Sequence, residues 1–486
     1  MNTDTGDPST QRIGLVLAPL TALLMLAWGG PESIGAEAWR VAALTVFMAI
    51  WWMTEAVPIP VTALLPVAVL PVSGAGTMAE AAAPYANPLV FLFLGGFIIA
   101  LAIQRWNLHR RIALLILGYS GRRPAQLVAG FMAGTAGLSM WVSNTATAAM
   151  MLPIGLSVLV VMEGHRGDSE PESQRRFALA LLIGIAFAAN IGGMGTLIGT
   201  PPNAILAAFM ADTYGVQIGF GQWMAVGIPV SLTLLALCWW TLTRWAFPLE
   251  RTAIPGVEGL IARKREELGP LTATERRVLA VFVLTGVAWI LRPLLDELLP
   301  GLALSDPGIA LFAAVSLFVI PAAGQRGALL DWGSTRELPW GVIVLVGGGL
   351  SLGTAIESSG LSTFIAGQLT GMGAWPVVFM VGAVAALTML LSHVASNTAT
   401  AATMLPLVTS IALGTGHPPL LLAVPVALAA SCAFMLPVAT PPNAIVFGSE
   451  RLRVLDMARA GSRITLIALP LITLVSLTLA PLMLGR

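Results

Sequence analysis

Residues 143–154 read SNTATAAMMLPI, and residues 396–407 read SNTATAATMLPL. A second phrase is doubled in the same order, GTPPNAIL at 199–206 and ATPPNAIV at 439–446. The first pair is offset by 253 residues and the second by 240; a weaker pair, FLFLGGFIIAL at 91–101 and IVLVGGGLSLG at 343–353, is offset by 252. A Ser-Asn-Thr triplet and a Pro-Pro break are costly in lipid-soluble sequence, because hydrocarbon cannot satisfy the polar groups they expose. One such triplet in a membrane helix ordinarily serves interhelical hydrogen bonding, and one Pro-Pro is ordinarily a kink. Two of each, in register and in order, describe a chain built from two related halves.

The sequence around these phrases is membrane sequence. Of 486 residues, 57% are hydrophobic and 10% charged, against about 25% charged in soluble domains. The net charge is +1, and Lys264 is the only lysine among 25 basic residues. No polybasic tract offers itself to nucleic acid. Cys238 and Cys432 lie in apolar runs and suggest neither a disulfide framework nor a metal site. The first dozen residues, MNTDTGDPSTQR, are polar, so the first apolar stretch reads as a retained anchor rather than a cleaved signal. An intramembrane enzyme would need a nucleophile with its base, or a metal cluster. The chain has four histidines, none grouped with aspartate in an apolar run, and it reads as no enzyme.

Apolar runs predict eleven membrane spans near 13–30, 39–54, 59–74, 88–106, 177–198, 223–247, 278–298, 305–322, 339–357, 419–438 and 462–484. The runs 124–160 and 374–414 each carry a triplet near the middle. They are read as re-entrant hairpins, since broken backbone at membrane depth survives only when buried in protein or lining a wet cavity. With the N-terminus cytoplasmic and both hairpins re-entrant, every basic residue except Arg40, Arg292 and Arg486 falls on the cytoplasmic side. That is the bias expected of a correct topology, and it collapses if either hairpin spans. It places the C-terminus in the periplasm.

The stretch 248–277 reads as a cytoplasmic linker with an amphipathic helix over 257–268. The chain then divides into a tail and first helix (1–38), a first repeat (39–247), the linker, and a second repeat (278–486). Each repeat holds five spans and a hairpin. Five is odd, so the second repeat is inverted. Inverted repeats with broken helices at the midplane mark secondary transporters. The expected fold class is thus an all-α integral membrane protein in an inverted-topology repeat.

The two phrases carry different chemistry. Ser143, Asn144 and Thr145 precede an apolar, helix-compatible run, and these residue types cap helix N-termini. A half-helix starting there offers unpaired N–H groups and the positive end of its dipole to an anion. Ser396, Asn397 and Thr398 repeat the arrangement, so two facing ends can hold both ends of a dianion. In 199–203 and 439–443 the prolines remove donors and bias the preceding residue away from helix. The expected break frees carbonyl oxygens, which suit Na⁺ as a hard cation.

Other polar residues read more plainly. His393 sits beside Ser392, but its counterpart is Met140; hydrogen bonding within the helix is the plain reading and proton sensing the sharper one. Glu55, Asp306 and Glu357 fall at or near predicted helix ends. The Trp pairs 51–52 and 239–240 fit interfacial belts. The glycine run 347–349 lacks the residues of a phosphate loop and fits close helix packing.

At these residues the chain resembles the divalent anion/sodium symporter (DASS) family of di- and tricarboxylate and sulfate carriers. The resemblance rests on both SNT triplets, both TPPN breaks, WWMTEAVPIPVTALLP at 51–66 and SCAFMLPVATPPNAIV at 431–446. It implies a homodimer in which a transport domain moves against a scaffold like an elevator. It implies substrate contacts at Asn144, Thr145, Asn397 and Thr398, with Pro201 and Pro441 nearby. It implies one Na⁺ site at Ser139, Ser143, Asn144 and the Gly199 carbonyl, and a second at Ser392, Ala395, Asn397 and the Ala439 carbonyl. The expected function is Na⁺-coupled uptake of a C4-dicarboxylate such as succinate, malate or fumarate across a bacterial inner membrane. Alternative readings are a Na⁺-independent dicarboxylate exchanger, a Na⁺-coupled citrate or sulfate symporter, and, from another class, an anion channel.

Overall fold

The computed structural model describes residues 8–164, 171–298, 301, 303–324, 326–368 and 375–485. Residues 1–7, Arg166, Arg486 and position 374 at the start of the second expected hairpin lie outside them. Among the described residues the fold is helical, with one isolated β-bridge between Pro321 and Ala328. Among the described residues nine helices are long and apolar enough to cross a membrane, and the apolar helices at 59–73, 306–319 and 420–430 are shorter.

Helices α1 (Pro8–Trp28) and α2 (Ala36–Thr54) pack together at the start of the chain. Glu55 caps α2 in the left-handed conformation, its N–H bonded to the Trp51 carbonyl. The expected span 59–74 is two helices, α3 (Ile59–Thr62) and α4 (Leu65–Ser73). Pro66 explains the division: it has no N–H for the Thr62 carbonyl, and its ring clashes there. After the short α5 (Met78–Ala82), the first repeat continues with α6 (Pro88–Arg105) and α7 (Leu108–Gly118).

The two arms of the first hairpin are α8 (Pro124–Ser139) and α9 (Asn144–Gly164). Sixteen residues in α8 give a helix of about 24 Å, short of a hydrocarbon core of about 30 Å. Then come α10 (Pro171–Gly193), an unwound stretch, α11 (Pro201–Tyr214) and α12 (Phe220–Trp240), which ends in a π-helical turn over Thr241–Ala246.

The expected linker helix is present as α13 (Val257–Leu268), laid against α7 and α9. Its neighbour α14 (Ala273–Leu298) begins inside the range read as linker. The second repeat proceeds through α15 (Asp306–Val319), α16 (Trp340–Ser358) and α17 (Leu361–Gln368) to the second hairpin, α18 (Val377–Val394) and α19 (Asn397–Gly414). It closes with α20 (Leu420–Ala430), α21 (Pro441–Phe447), α22 (Val454–Leu477) and α23 (Leu479–Leu484). Helix for helix, α6 to α12 and α16 to α22 follow the same order.

Ion pairs gather the loops of one face. Arg122 pairs with Glu258 of α13, and Glu163 at the end of α9 pairs with Arg451. Arg175 reaches Asp456 at 3.1 Å, and Arg463 stacks 4.8 Å over the Trp245 ring. Both ends of the first hairpin therefore lie on the linker face. Arg105 and Asp331 pair just before α16, and the guanidinium holds the Asp331 carboxyl below its usual range. From there α16 runs about 28 Å, so α17 and the base of the second hairpin sit at the other face. A Cβ on Gly414 of that base would stand 2.6 Å from the Ala366 carbonyl. The hairpins open from opposite faces.

The weaker doubled phrase packs helices. A Cβ on Gly95 of α6 would lie 2.7 Å from the Ala310 backbone of α15, and one on Gly348 of α16 would lie 2.2 Å from the Ala63 carbonyl oxygen. Small residues let backbones approach this closely. One ring of each Trp pair is held inside the protein, while Trp240 stays exposed. Trp52 is fully buried and its indole N–H donates to Ile59, and the Trp239 indole donates to the Ala125 carbonyl at 2.8 Å. Packing and hydrogen bonding hold Trp52 and Trp239.

Candidate functional site

In the first half, α8 ends at Ser139, the chain turns through 140–143, and α9 begins at Asn144. Ser143 acts as a cap, its Oγ accepting from the Ala146 N–H at 3.3 Å. Ser139 Oγ stands 2.6 Å from the Asn144 amide and donates to the Ala189 carbonyl of α10 at 2.7 Å.

The Asn144 amide meets this cluster in either of two senses. With its nitrogen inward it donates to Gly199 O and Ala189 O, both at 3.2 Å, and to Ser139 Oγ. With its oxygen inward, four oxygens converge and only the Ser139 proton lies between them. That second donor set fits Na⁺, which takes oxygen ligands and needs no acidic partner here. A Cβ on Gly193 would sit 2.7 Å from the Asn144 amide oxygen and 3.0 Å from Gly199 O, so a larger residue there would displace the amide.

The second half repeats the serine's two contacts. Ser392 Oγ lies 2.8 Å from the Asn397 amide oxygen and 2.6 Å from the Ala430 carbonyl of α20. Ala395, between the arms, is extended and buried; Ala439 is buried too, at the end of a 3-10 turn over Pro437–Ala439. His393 is buried with Nδ1 2.6 Å from the Met389 carbonyl, one turn back along α18.

The helices do not break where the prolines stand. α10 ends at Gly193 and α20 at Ala430, and the prolines instead open α11 and α21 at the first two helical positions. Proline is suited there because the first-turn N–H has no intrahelical partner anyway. The glycines at 192, 193 and 195 end α10. The freed carbonyls are gathered by the asparagine of each TPPN phrase. Asn203 Nδ2 donates to Thr196 O at 2.8 Å, with Gly193 O and Met194 O at 3.2 and 3.3 Å. Asn443 Nδ2 donates to Ala433 O and Leu436 O, both at 3.0 Å. Sequence reading expects the amide oxygens of these two residues beside a cation with the freed carbonyls, whereas their Nδ2 groups take those carbonyls. It also missed the Ala189 and Ala430 carbonyls, which lie 50 and 38 residues from their serines.

The halves pack across each other. α9 lies against α21, and α19 against α11. Phe187 of α10 meets Phe434 of the second unwound stretch at 4.9 Å between ring centroids. Exposure divides the expected residues. Ser143, Thr145 and Pro441 are exposed, and Asn144, Pro201, Ser396, Asn397 and Thr398 are half-buried; Ser139, Gly199, Ser392, Ala395 and Ala439 are buried. The accessible set is polar or stands at a helix start, and the buried set surrounds the amide clusters. Asp306 and Glu357 stand apart. Asp306 accepts from the Phe220 N–H at 2.7 Å, and Glu357 closes the last turns of α16.

Comparison with known proteins agrees over the whole chain. The family described as the sodium:sulfate symporter transmembrane region matches residues 9–484. A sodium-dependent dicarboxylate transporter, SdcS, of Staphylococcus saprophyticus is 42% identical over 480 residues, 98% of this chain and 92% of that protein. The protein of the same name in Staphylococcus aureus is 41% identical over 481 residues, with the same coverage. Among solved structures, the YdaH transporter of Alcanivorax borkumensis superposes with a TM-score of 0.56 at 13% identity, over 90% of this chain and 98% of that one. MtrF of Neisseria gonorrhoeae gives 0.58 at 12% identity, over 98% and 95%. At those identities the two structures are alike in fold alone.

Proposed function

The chain belongs to the family of the sodium:sulfate symporter transmembrane region, and from that premise we propose that it is a multi-pass membrane carrier coupling C4-dicarboxylate uptake to Na⁺. The observation that carries the reading is the doubled Ser–Asn–carbonyl cluster beneath each half-helix start. The relatives named as sodium-dependent dicarboxylate transporters support the same ion and the same substrate class.

In this reading each carboxylate of the dianion meets one SNT tip. Asn144 and Thr145 receive one end, and Asn397 and Thr398 the other, with Ser143 and Ser396 ordering the first turns. Pro201 and Pro441 wall the space between. Backbone N–H groups at the starts of α9 and α19 supply positive potential without a basic residue. Beneath the tips, Ser139, Ser143, Asn144 and the Gly199 carbonyl form one cation set; Ser392, Ala395, Asn397 and the Ala439 carbonyl form the other. The amide that turns its oxygen toward the cation turns its N–H₂ away from the carbonyls, so ion and anion sites share Asn144 and Asn397. Each ligand then tightens the other.

The inverted repeat and hairpins opening from opposite faces support alternating access. Movement of a transport domain against a scaffold within a homodimer follows from the family resemblance. The Staphylococcus relatives support a bacterial cell membrane, and the distribution of basic residues supports a cytoplasmic N-terminus.

Uptake of labelled succinate into proteoliposomes tests the function. A Na⁺ gradient is expected to drive accumulation, and Asn144→Ala and Asn397→Ala are each expected to lower it at least 100-fold, the upper range of a two-ligand coupling. Succinate uptake indifferent to Na⁺ but stimulated by internal dicarboxylate would replace symport by exchange. Retained uptake in either alanine variant would sink the site assignment.

A further inference from the structure

Asn190 lies in the last turn of α10, 1% exposed, among residues that are themselves buried. An amide there is costly unless it is hydrogen-bonded. Its Nδ2 donates to Thr440 Oγ1 at 3.0 Å, a bond across 250 residues from the first repeat to the second. Thr440 opens α21, and its Oγ1 also accepts from the Asn443 N–H at 3.4 Å. Each end of this bond adjoins a cluster. Asn190 follows Ala189, whose carbonyl takes the Ser139 hydroxyl. Thr440 follows Ala439 and precedes Pro441.

The pseudo-symmetric bond is missing. Ala189-Asn190 corresponds to Ala430-Ser431, and Thr440 corresponds to Thr200. Ser431 Oγ is buried without a hydrogen-bond partner, and the Thr200 side chain caps nothing. A serine places its polar atom one bond nearer the backbone than asparagine does, and Ser431 makes no bond to Thr200. The otherwise symmetric centre is joined by a side-chain hydrogen bond on one side.

We infer that Asn190 is a positioning residue that couples the two half-sites, so that ordering the Ser139–Asn144–Ala189 cluster also orders the chain at Thr440. The inference rests on the Na⁺-coupled reading above. Ion binding in the first half draws on the Ala189 carbonyl segment. Through Asn190, the same shift fixes the start of α21, where the second half's oxygens and Pro441 stand. Coupling between two sites has a size, and a factor of about 5–150 is usual.

The test is Na⁺ titration of purified wild type, Asn190→Ser and the swapped pair Asn190→Ser/Ser431→Asn, read as melting temperature and as succinate uptake in proteoliposomes. In wild type, both curves are expected to be sigmoidal in Na⁺. In Asn190→Ser the curves are expected to flatten toward hyperbolic, with half-saturating Na⁺ about five- to tenfold higher. The swapped pair is expected to regain the sigmoidal form by bonding Thr200 instead. A purely structural Asn190 would lower the melting temperature at every Na⁺ concentration and leave the curve's shape alone, which would overturn the inference. For a variant that loses uptake, the Na⁺ titration of melting temperature decides alone. Wild-type curves that ignore Na⁺ would instead overturn the function, a distinguishable outcome.

Discussion

At the scale of single residues, the centre of this protein is built from neutral groups. Two serines and two asparagines meet backbone carbonyls there. A buried charge would cost far more than a hydroxyl or amide, and its sign would be fixed. An amide reverses its polarity by a half-turn, offering oxygen or N–H₂. Replacing Ser139 or Ser392 by alanine removes one oxygen from a cluster and leaves the helix intact. Each is expected to raise half-saturating Na⁺ about tenfold while the dicarboxylate still saturates at high Na⁺, since an oxygen ligand and not the anion contact is lost. Flux measured over a Na⁺ series decides it; an unchanged Na⁺ requirement would remove the serine from the ion set. Asn443→Ala tests another role. It leaves the Ala433 and Leu436 carbonyls unpaired in a buried place, a loss of about 1–3 kcal/mol. A lower melting temperature at every Na⁺ concentration is the expected result.

At the scale of helices, small residues decide how closely elements meet. A Cβ on Gly192 of α10 would fall 2.3 Å from the Ala136 carbonyl of α8, and one on Gly461 of α22 would fall 2.3 Å from the Phe434 carbonyl. Both clashes are with backbone, which cannot rotate away. Gly137, one position along α8, has nothing within 4 Å of its would-be Cβ. Gly192→Ala is therefore expected to lower the melting temperature sharply or prevent folding. Gly137→Ala is expected to be neutral or to add about 0.5–1 kcal/mol from helix propensity. Comparable melting temperatures for the two variants would refute the close α8–α10 contact. The same scale explains the paired breaks. Each unwound stretch is tolerated at depth because one asparagine gathers the carbonyls that the helix gives up.

At the scale of the molecule, two hairpins of opposite sense meet at one centre, and each leans on the other half's post-break helix. The first hairpin's turn also touches α14. Trp141 lies 5.0 Å from the Phe282 ring in an edge-on contact, and Phe220 bridges Trp141 to Trp289 through stacked rings. Domain movement in the proposed mechanism must break this contact. Cysteines at positions 141 and 282, joined by a short bifunctional thiol reagent, are expected to stop uptake, and cleaving the cross-link is expected to restore it. The native Cys238 and Cys432 are buried and offer no competing thiol. Full uptake with the cross-link in place would mean that α14 travels with the hairpin.

The sequence by itself determined the class of the fold, its doubling and the identity of the central residues. Composition alone fixes a membrane protein, since so few charges cannot cover a soluble surface. Doubled phrases in order locate the half-sites, and the basic residues locate the linker face. Tertiary structure decided where the helices end and which atoms meet. Prolines were visible as breakers, yet they begin helices, because the glycines upstream had already ended α10 and Asn203 held the loose end. The Ala189 and Ala430 carbonyls carry no side-chain signature, so no reading of residue types could find them. The Asn190–Thr440 bond depends on two repeats folding face to face. A polar atom in a membrane interior takes whatever partner packing brings within 3 Å, and that neighbour is a property of three dimensions.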